Sequence, residues 1–318
     1  MPASTCTRAA ARTGRWVLPV ALVTTLALGH AGCRSMRCQQ VSDEAVALAR
    51  QLSLQGMDAQ QRGHWDEAET LFANAVIACP RDERARCGYA EALWHRGDHG
   101  EAVKHMEEAV RLSGHDPERV VQLGHMHREQ GDLARASELA ERAIAANAQL
   151  SSAWALRGEV ERASGQRAEA LASFHRALSL EPHFPPVQLA VAEIYMSEER
   201  PQRALAVLQS LAASFPVGQA PPDLLILQSV AFRSLGRYSD AARMLAAVAE
   251  RGRPSPELLC ELARTQHQAG EDAAAAATLA TALAQAPQHP IARALERELY
   301  ANPSVIAAAR QAPGASLH

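Results

Sequence analysis

The fold is decided by a stretch that recurs along the chain, most clearly as residues 151–184, SSAWALRGEVERASGQRAEALASFHRALSLEPHF. Gly165 in this copy belongs to a series in which neighbours lie 34 residues apart, apart from one three-residue insertion. The series comprises Gly63, Gly97, Gly131, Gly165, Gly236 and Gly270, with Glu199 in the remaining slot. Glycine in six of seven equally spaced slots indicates a tandem repeat.

Small residues keep the same period on both sides of these glycines. Alanine follows five residues later in every copy, at Ala68, Ala102, Ala136, Ala170, Ala204, Ala241 and Ala275. A small residue stands seven positions earlier, as Gly56, Ala90, Gly124, Gly158, Ala192, Ser229 and Ala263. Small side chains allow two antiparallel helices to cross closely, and glycine can end the first of them in a left-handed cap. The pattern therefore predicts repeated helix pairs.

This pattern resembles the tetratricopeptide-repeat (TPR) family, and residues 151–184 match it best, with Trp154, Gly158, Gly165, Ala170, Phe174, Ala177 and Pro182 in place. The resemblance implies an all-α, right-handed α-solenoid of about seven TPR helix-turn-helix units with a C-terminal capping helix. We expect the array to occupy 43–289, with units near 49–82, 83–116, 117–150, 151–184, 185–218, 222–255 and 256–289. The capping helix is predicted at 290–301, and a flexible tail at 302–318.

The fifth unit departs most from the pattern. It carries Glu199 in the glycine slot and Leu211 where alanine is usual, and an insertion follows at 219–221. A longer turn and a hinge between a five-unit and a two-unit block both explain this insertion, and the sequence leaves both open.

The N-terminal segment has the order of a secretory signal. Arg8, Arg12 and Arg15 precede an apolar stretch of 13 residues, 16–28, and small residues follow. A membrane-spanning helix needs about 20 residues, whereas a signal peptide has this shorter apolar core. We therefore predict a signal peptide at 1–32 and an exported protein.

The end of this segment, Ala31-Gly32-Cys33, resembles the lipobox of bacterial lipoproteins, whose cysteine is lipidated. His30 departs from the preferred leucine, and cleavage after Ala31 without lipidation is the alternative. If Cys33 is lipidated, residues 33–42 form a short tether, of which 34–41 span at most about 28 Å. A membrane-anchored lipoprotein at the outer membrane or periplasmic face is then favoured over a free periplasmic or secreted protein.

Catalytic, cofactor and metal motifs are missing from the sequence. Phosphate-cradle, nucleophile-elbow, HExxH and CxxC patterns do not occur, and Lys104 is the only lysine. The pairs His95/His99 and His125/His127 are not at metal-ligand geometry on one helix face. The net charge of −3 gives no basic face for nucleic acid. We therefore predict no enzyme activity, cofactor, metal or nucleic-acid partner.

Cys79 and Cys87 are a candidate disulfide pair. They lie on either side of the turn between two units, and an exported chain reaches a compartment in which disulfides form.

The resemblance also identifies a candidate binding surface, because the first helices of TPR pairs line a concave groove. The matching positions are Arg50, Arg84, Glu91, Trp94, His95, His125, Arg128, Glu129, Glu159, Arg162, Glu193, Met196, Arg233, Arg264 and His267. Such a mixture of charges and apolar anchors suits a peptide or helix from a partner protein. The leading hypothesis is a non-enzymatic protein-protein interaction scaffold, a membrane-anchored adaptor of a cell-envelope assembly. The alternative is a secreted or periplasmic binding subunit for a polysaccharide or secreted substrate. The oligomeric state is unspecified by the sequence.

Overall fold

The computed structural model describes residues 42–300, and this part of the chain consists of helices joined by turns. The fifteen helices are α1 (Asp43–Gln61), α2 (Trp65–Ala78), α3 (Glu83–Arg96), α4 (His99–Leu112), α5 (Pro117–Glu129), α6 (Leu133–Ala146), α7 (Ser151–Ala163), α8 (Arg167–Leu180), α9 (Pro185–Ser197), α10 (Pro201–Ala212), α11 (Pro222–Ser234), α12 (Tyr238–Ala249), α13 (Pro256–Gln268), α14 (Asp272–Gln285) and α15 (Pro290–Tyr300).

These helices form consecutive pairs, each packed on the next. The first helix of a pair contacts its own second helix, and that second helix contacts the following first helix. Neighbouring first helices also touch directly, as between α1 and α3 and between α5 and α7. The predicted all-α helical repeat solenoid is confirmed.

The glycine slots end the first helices as the sequence predicts. Gly97 caps α3 with a φ of 98°, and its N–H bonds to the carbonyl of Trp94. The other five glycines of the series also have positive φ, a region that only glycine occupies without strain. Glu199 adopts a φ of 57° in the same slot. The backbone therefore adopts the same left-handed conformation at this turn in all seven units, even where the residue is not glycine.

Small residues allow large buried rings to sit at the helix crossings. Phe72 of α2 is buried between Gly56 of α1 and Gly88 of α3. A Cβ added to either glycine would lie under 3.0 Å from the Phe72 ring. Phe174 occupies the corresponding place against Gly158. These rings fill both the interior of a unit and the joint to the next unit.

The core continues across the insertion that follows α10. One cluster of buried residues runs from Phe174 through Leu208 to Leu224 and Phe232, on both sides of the loop. Phe215 and Ala220 of the loop itself pack against this cluster. The longer turn is therefore built onto a continuous core. The hinge hypothesis stays a prediction that no contact in this region favours.

The helix α15 ends the described array. Ala292, Leu295 and Leu299 are buried against the last unit. Arg297 occupies the slot that holds a small residue in the seven units, such as Ala263 in α13. A second helix that paired with α15 as in the seven units would have to cross it at this bulky side chain. The capping role of α15 stays a prediction.

Candidate partner-binding surface

The structure places all twelve of the principal predicted groove residues on first helices. They are Arg84, Glu91, Trp94 and His95 on α3, His125, Arg128 and Glu129 on α5, Glu159 and Arg162 on α7, Glu193 and Met196 on α9, and Arg233 on α11. Arg50 of α1 and Arg264 and His267 of α13 belong to the same surface. The first helices therefore bring together residues that are spread over more than 200 positions of sequence.

Most of the charged groups on this surface bond across the joints between units. Gln60 Nε2 donates to Glu91 Oε2 at 2.8 Å, and Arg162 Nη1 donates to Glu193 Oε2 at 2.7 Å. In both pairs the partners are 31 residues apart. We call these contacts, together with Trp94–Glu129, Arg128–Glu159 and Arg233–Glu261, the inter-unit ladder.

Glu159 is a largely buried carboxylate of the inter-unit ladder. His125 Nδ1 lies 3.2 Å and Arg128 Nε 3.0 Å from its Oε2 atom. Burial by itself would raise the pKa of the Glu159 carboxyl, but His125 and two neighbouring arginines outweigh it, so its pKa lies below the ordinary value. The carboxylate is held ionised as a link between α5 and α7.

The aromatic residues of this surface also contact neighbouring units. Trp94 Nε1 donates to Glu129 Oε2 at 3.0 Å, and the Trp94 ring packs edge-on against His99. His95 stacks on Trp65, with ring centroids 4.2 Å apart and planes inclined by 9°. The His95–Trp65 stack thus stabilises the joint between the first two units, whereas His99 contacts Trp94 within the second unit.

Met196 and Arg233, two further predicted groove residues, differ in environment. Met196 is half-buried and packs against the core that spans units four to six. Arg233 pairs with Glu261 of the next first helix. Met196 and the ion-paired charges therefore contribute to the cohesion of the array.

One open part of the surface lies at the N-terminal end of the array. Two adjoining cavities of about 310 Å³ each share Leu54, Met57 and Arg84. The first continues to Val46, Arg50, Ser53, Cys79, Arg81, Asp82 and Glu83, and the second to Gln60, Phe72, Cys87, Gly88, Glu91 and Arg119. We call this region, between α1, α3 and the start of α5, the N-terminal cleft.

Sequence reasoning found Arg50, Arg84 and Glu91 but missed Leu54, Met57 and Arg119. Leu54 occupies the slot of Gly88, which is buried against the preceding unit. No described helix precedes α1, so Leu54 is 60% exposed. The available signal was a large apolar residue in a slot that no preceding unit of the described region covers.

The candidate disulfide is not formed, because Cys79 and Cys87 are both free and buried. Cys87 Sγ faces the next unit, where it lies 3.3 Å from Gln122 Oε1 and 3.3 Å from Arg119 Nη1. Cys79 instead caps the end of α2. Burial raises the pKa of the Cys87 thiol to about 12. Orientation into different contacts explains why the proximity in sequence was misleading.

Several predictions concern other features of the chain. Cys33, the signal segment and the tail lie outside the described residues. Within residues 42–300, no helix is long and apolar enough to cross a membrane. The same region holds no group of three or more His, Cys, Asp or Glu side chains arranged to bind a metal ion.

Stacked, equivalent helix pairs with a shared first-helix surface define the class of α-helical repeat proteins. Models of the tetratricopeptide repeat match residues 53–117, and also 93–160, 161–220 and 232–299. The chain belongs to the tetratricopeptide-repeat family. Comparison with curated proteins gave no sequence match.

Solved structures of TPR proteins share the fold at low sequence identity. PilF of Pseudomonas aeruginosa is 17% identical, with a TM-score of 0.57 over 68% of this chain and 96% of that chain. PilW, described as a widely conserved type IV pilus biogenesis factor, is 19% identical, with a TM-score of 0.59 over 67% and 98%. YrrB, a TPR protein with an unusual peptide-binding site, is 17% identical, with a TM-score of 0.51 over 60% and 97%. These similarities establish the fold.

Proposed function

We propose that this chain is a non-enzymatic interaction scaffold, anchored to a membrane through lipidated Cys33, which holds protein components of a cell-envelope assembly. The observation that carries the proposal is the first-helix surface, which runs across all seven units and includes an open cleft. TPR proteins generally bind protein or peptide partners, and this surface offers charges and apolar groups of the kind that such partners use.

The envelope location rests on the N-terminal sequence. Residues 1–32 have the order of a signal peptide, and Cys33 follows Ala31-Gly32 as in bacterial lipoproteins. The fold similarity to PilW, a pilus biogenesis factor, supports a role in building an envelope structure. A tether of eight residues, 34–41, would hold the array within about 28 Å of the membrane surface.

Binding of a polysaccharide is the weaker alternative. Sugar sites commonly use free aromatic faces, and Trp94 is the main aromatic residue predicted for the groove. Its N–H is engaged by Glu129 and its ring by His99. A partner protein therefore fits the available chemistry better than a glycan does.

The anchor is tested by fractionating cells that express the wild type, Cys33→Ala or the matched control Cys38→Ala. We expect the wild type and Cys38→Ala in the membrane pellet, labelled by an alkyne fatty acid, and Cys33→Ala in the soluble fraction without label. Unlabelled wild type, or membrane retention of Cys33→Ala, would remove the lipid anchor from the proposal.

The scaffold role is tested separately with a photo-crosslinking amino acid in living cells. It replaces Arg84 or Glu193 on first helices, or Lys104 or Arg142 on second helices, all of which are exposed. We expect defined protein adducts from the first-helix positions only. Equal adducts from both sets would place binding elsewhere, and no adducts from any position would refute the scaffold role.

A further inference from the structure

We infer that the N-terminal cleft binds an acidic segment of another protein, whose apolar side chains insert beside Leu54 and Met57 while its carboxylates bind the surrounding arginines. The inference deepens the scaffold part of the proposed function and rests on it. It does not depend on the lipid anchor.

The floor of the cleft is apolar and exposed, whereas the equivalent slot of the next unit, at Gly88, is buried against the unit before it. Leu54 is 60% exposed and Met57 is 45% exposed, whereas Phe72 below them is buried. The two adjoining cavities meet at these side chains. An apolar side chain placed there would remove exposed hydrophobic surface from water, which favours binding.

The arginines of the cleft lack carboxylate partners of their own. Arg50 and Arg81 form no ion pair or hydrogen bond through their side chains with any described residue. Arg84 has only Glu83 nearby, at 3.7 Å and exposed to solvent. Exposed pairs of this kind contribute little to stability. A carboxylate ligand would therefore find these guanidinium groups available.

Arg119 extends the positive charge into the second cavity. Its Nη1 atom donates to Gln122 Oε1 at 2.9 Å and lies 3.3 Å from Cys87 Sγ, and both partners are uncharged. The positively charged Arg119 side chain therefore lines the second cavity without a carboxylate bonded to it among the described residues.

The acidic groups of the cleft are already engaged by backbone and amide groups. Asp82 accepts bonds from the backbone N–H groups of Arg84 and Ala85, where it caps α3. Glu91 accepts bonds from Gln60 and Gln122. None of these donors is an arginine side chain. The cleft is thus lined by four arginines and by three carboxylates, those of Asp82, Glu83 and Glu91, and two of these carboxylates accept hydrogen bonds from neutral donors. The excess of positive charge favours a negatively charged ligand.

The remaining first-helix surface is less suited to such a ligand. Arg128, Arg162 and Arg233 all pair with glutamates of the next unit. A bound acid would have to compete with these intramolecular partners. Available positive charge and exposed apolar groups coincide at the N-terminal cleft.

The chain's own ends do not have the required charge. Residues 1–42 and residues 301–318 contain no Asp or Glu. Segments from either end would bring Arg34, Arg37 or Arg310 toward the arginines of the cleft. The occupant is therefore assigned to another protein. Because neighbouring helices lie about 10 Å apart, a segment crossing α1, α3 and α5 would span roughly 20 Å, or about six extended residues.

The test is selection from a displayed library of random 16-residue peptides on the full protein, purified from cells in detergent. Selected peptides are then measured by fluorescence anisotropy against the wild type and Arg50→Glu/Arg84→Glu. The matched control is Arg167→Glu/Arg253→Glu, which makes the same change in net charge at two exposed arginines away from the cleft. Circular dichroism establishes that all three proteins fold.

We expect acidic peptides with apolar residues that bind the cleft variant at least tenfold more weakly than the wild type and the control, with affinity falling as salt rises. Basic or uncharged peptides, equal binding to both variants, or no selected peptide would overturn the inference. Dimerisation abolished by Arg50→Glu/Arg84→Glu, measured by light scattering, would assign the cleft to a second copy and overturn it too. In each case the crosslinking result decides independently whether the scaffold role stands.

Discussion

The ring of Phe72 gives the most direct test of how the units join. Gly88→Ala would place a methyl group under 3.0 Å from Phe72 Cε1, where ordinary contact begins at 3.4 Å. The ring cannot retreat freely, because on its other side it lies against Gly56, whose added Cβ would be 2.9 Å away. Phe72 would have to shift by roughly 1 Å in a close-packed core.

Two opposing effects determine the size of the change. Overpacking of this kind costs about 1–3 kcal/mol, while glycine to alanine in a helix gains up to about 1 kcal/mol. Since Phe72 is confined on both sides, the cost should be in the upper part of its range. We expect Gly88→Ala to lower the free energy of unfolding by about 1–2 kcal/mol.

The assay is urea unfolding followed by tryptophan fluorescence in a Trp16→Phe/Trp154→Phe background, so that Trp65 and Trp94 report on the first two units. Gly100→Ala is the matched control, because its added Cβ meets nothing within 4 Å. We expect this control to be neutral or stabilised by up to about 1 kcal/mol. Adding Phe72→Leu should recover about 1 kcal/mol of the Gly88→Ala loss relative to additivity. Equal stability of Gly88→Ala and Gly100→Ala would refute the packing argument.

Three further substitutions or treatments test the description. Glu199→Gly should raise the free energy of unfolding by about 1 kcal/mol, because Glu199 has a φ of 57° that glycine adopts without strain; an unchanged urea midpoint would contradict this. Glu159→Gln should destabilise the chain at pH 7 by about 1–3 kcal/mol. The folded-state pKa of Glu159 is depressed, so its contribution to stability is present above the ordinary value of 4.5 and is lost as pH falls through the lower folded value. Thermal melts of the variant and the wild type should therefore converge in acid. A difference in melting temperature that stays constant with pH would be inconsistent with a charge effect. Cys79, Cys87 and Cys260 should resist iodoacetamide at pH 8 in the native state and react in guanidinium, since all three are buried and the pKa of Cys87 is about 12; an intact mass showing a Cys79–Cys87 disulfide would contradict the free thiols.

The helix pairs could be predicted because their determinants are local. A glycine such as Gly97 ends a first helix through its own backbone, and a proline such as Pro182 lies shortly after the end of α8. Neither effect requires knowledge of the rest of the molecule. The period of these signals was therefore sufficient for the architecture.

The use of the charged groups could not be predicted in the same way. Arg128 and Glu159 were both found as groove residues, but the angle between neighbouring units decides whether they face a partner or each other. The same angle turns Cys87 toward Gln122 and away from Cys79. The exposure of Leu54 depends on its place in the first described helix, where no described unit precedes it. These properties belong to joints between units, which the pattern within one unit does not describe.

The inter-unit ladder also bears on how such a gene can change length. Tandem repeats are prone to unequal recombination, which can delete one unit while keeping the reading register. Loss of residues 185–221 would keep every glycine slot but set Arg162 against Val230 in place of Glu193. The backbone pattern would accept the shorter array, whereas the side chains at the new joint would not match. The side chains of each unit are thus matched to those of the neighbouring units, so the order of the units matters for the stability of the array.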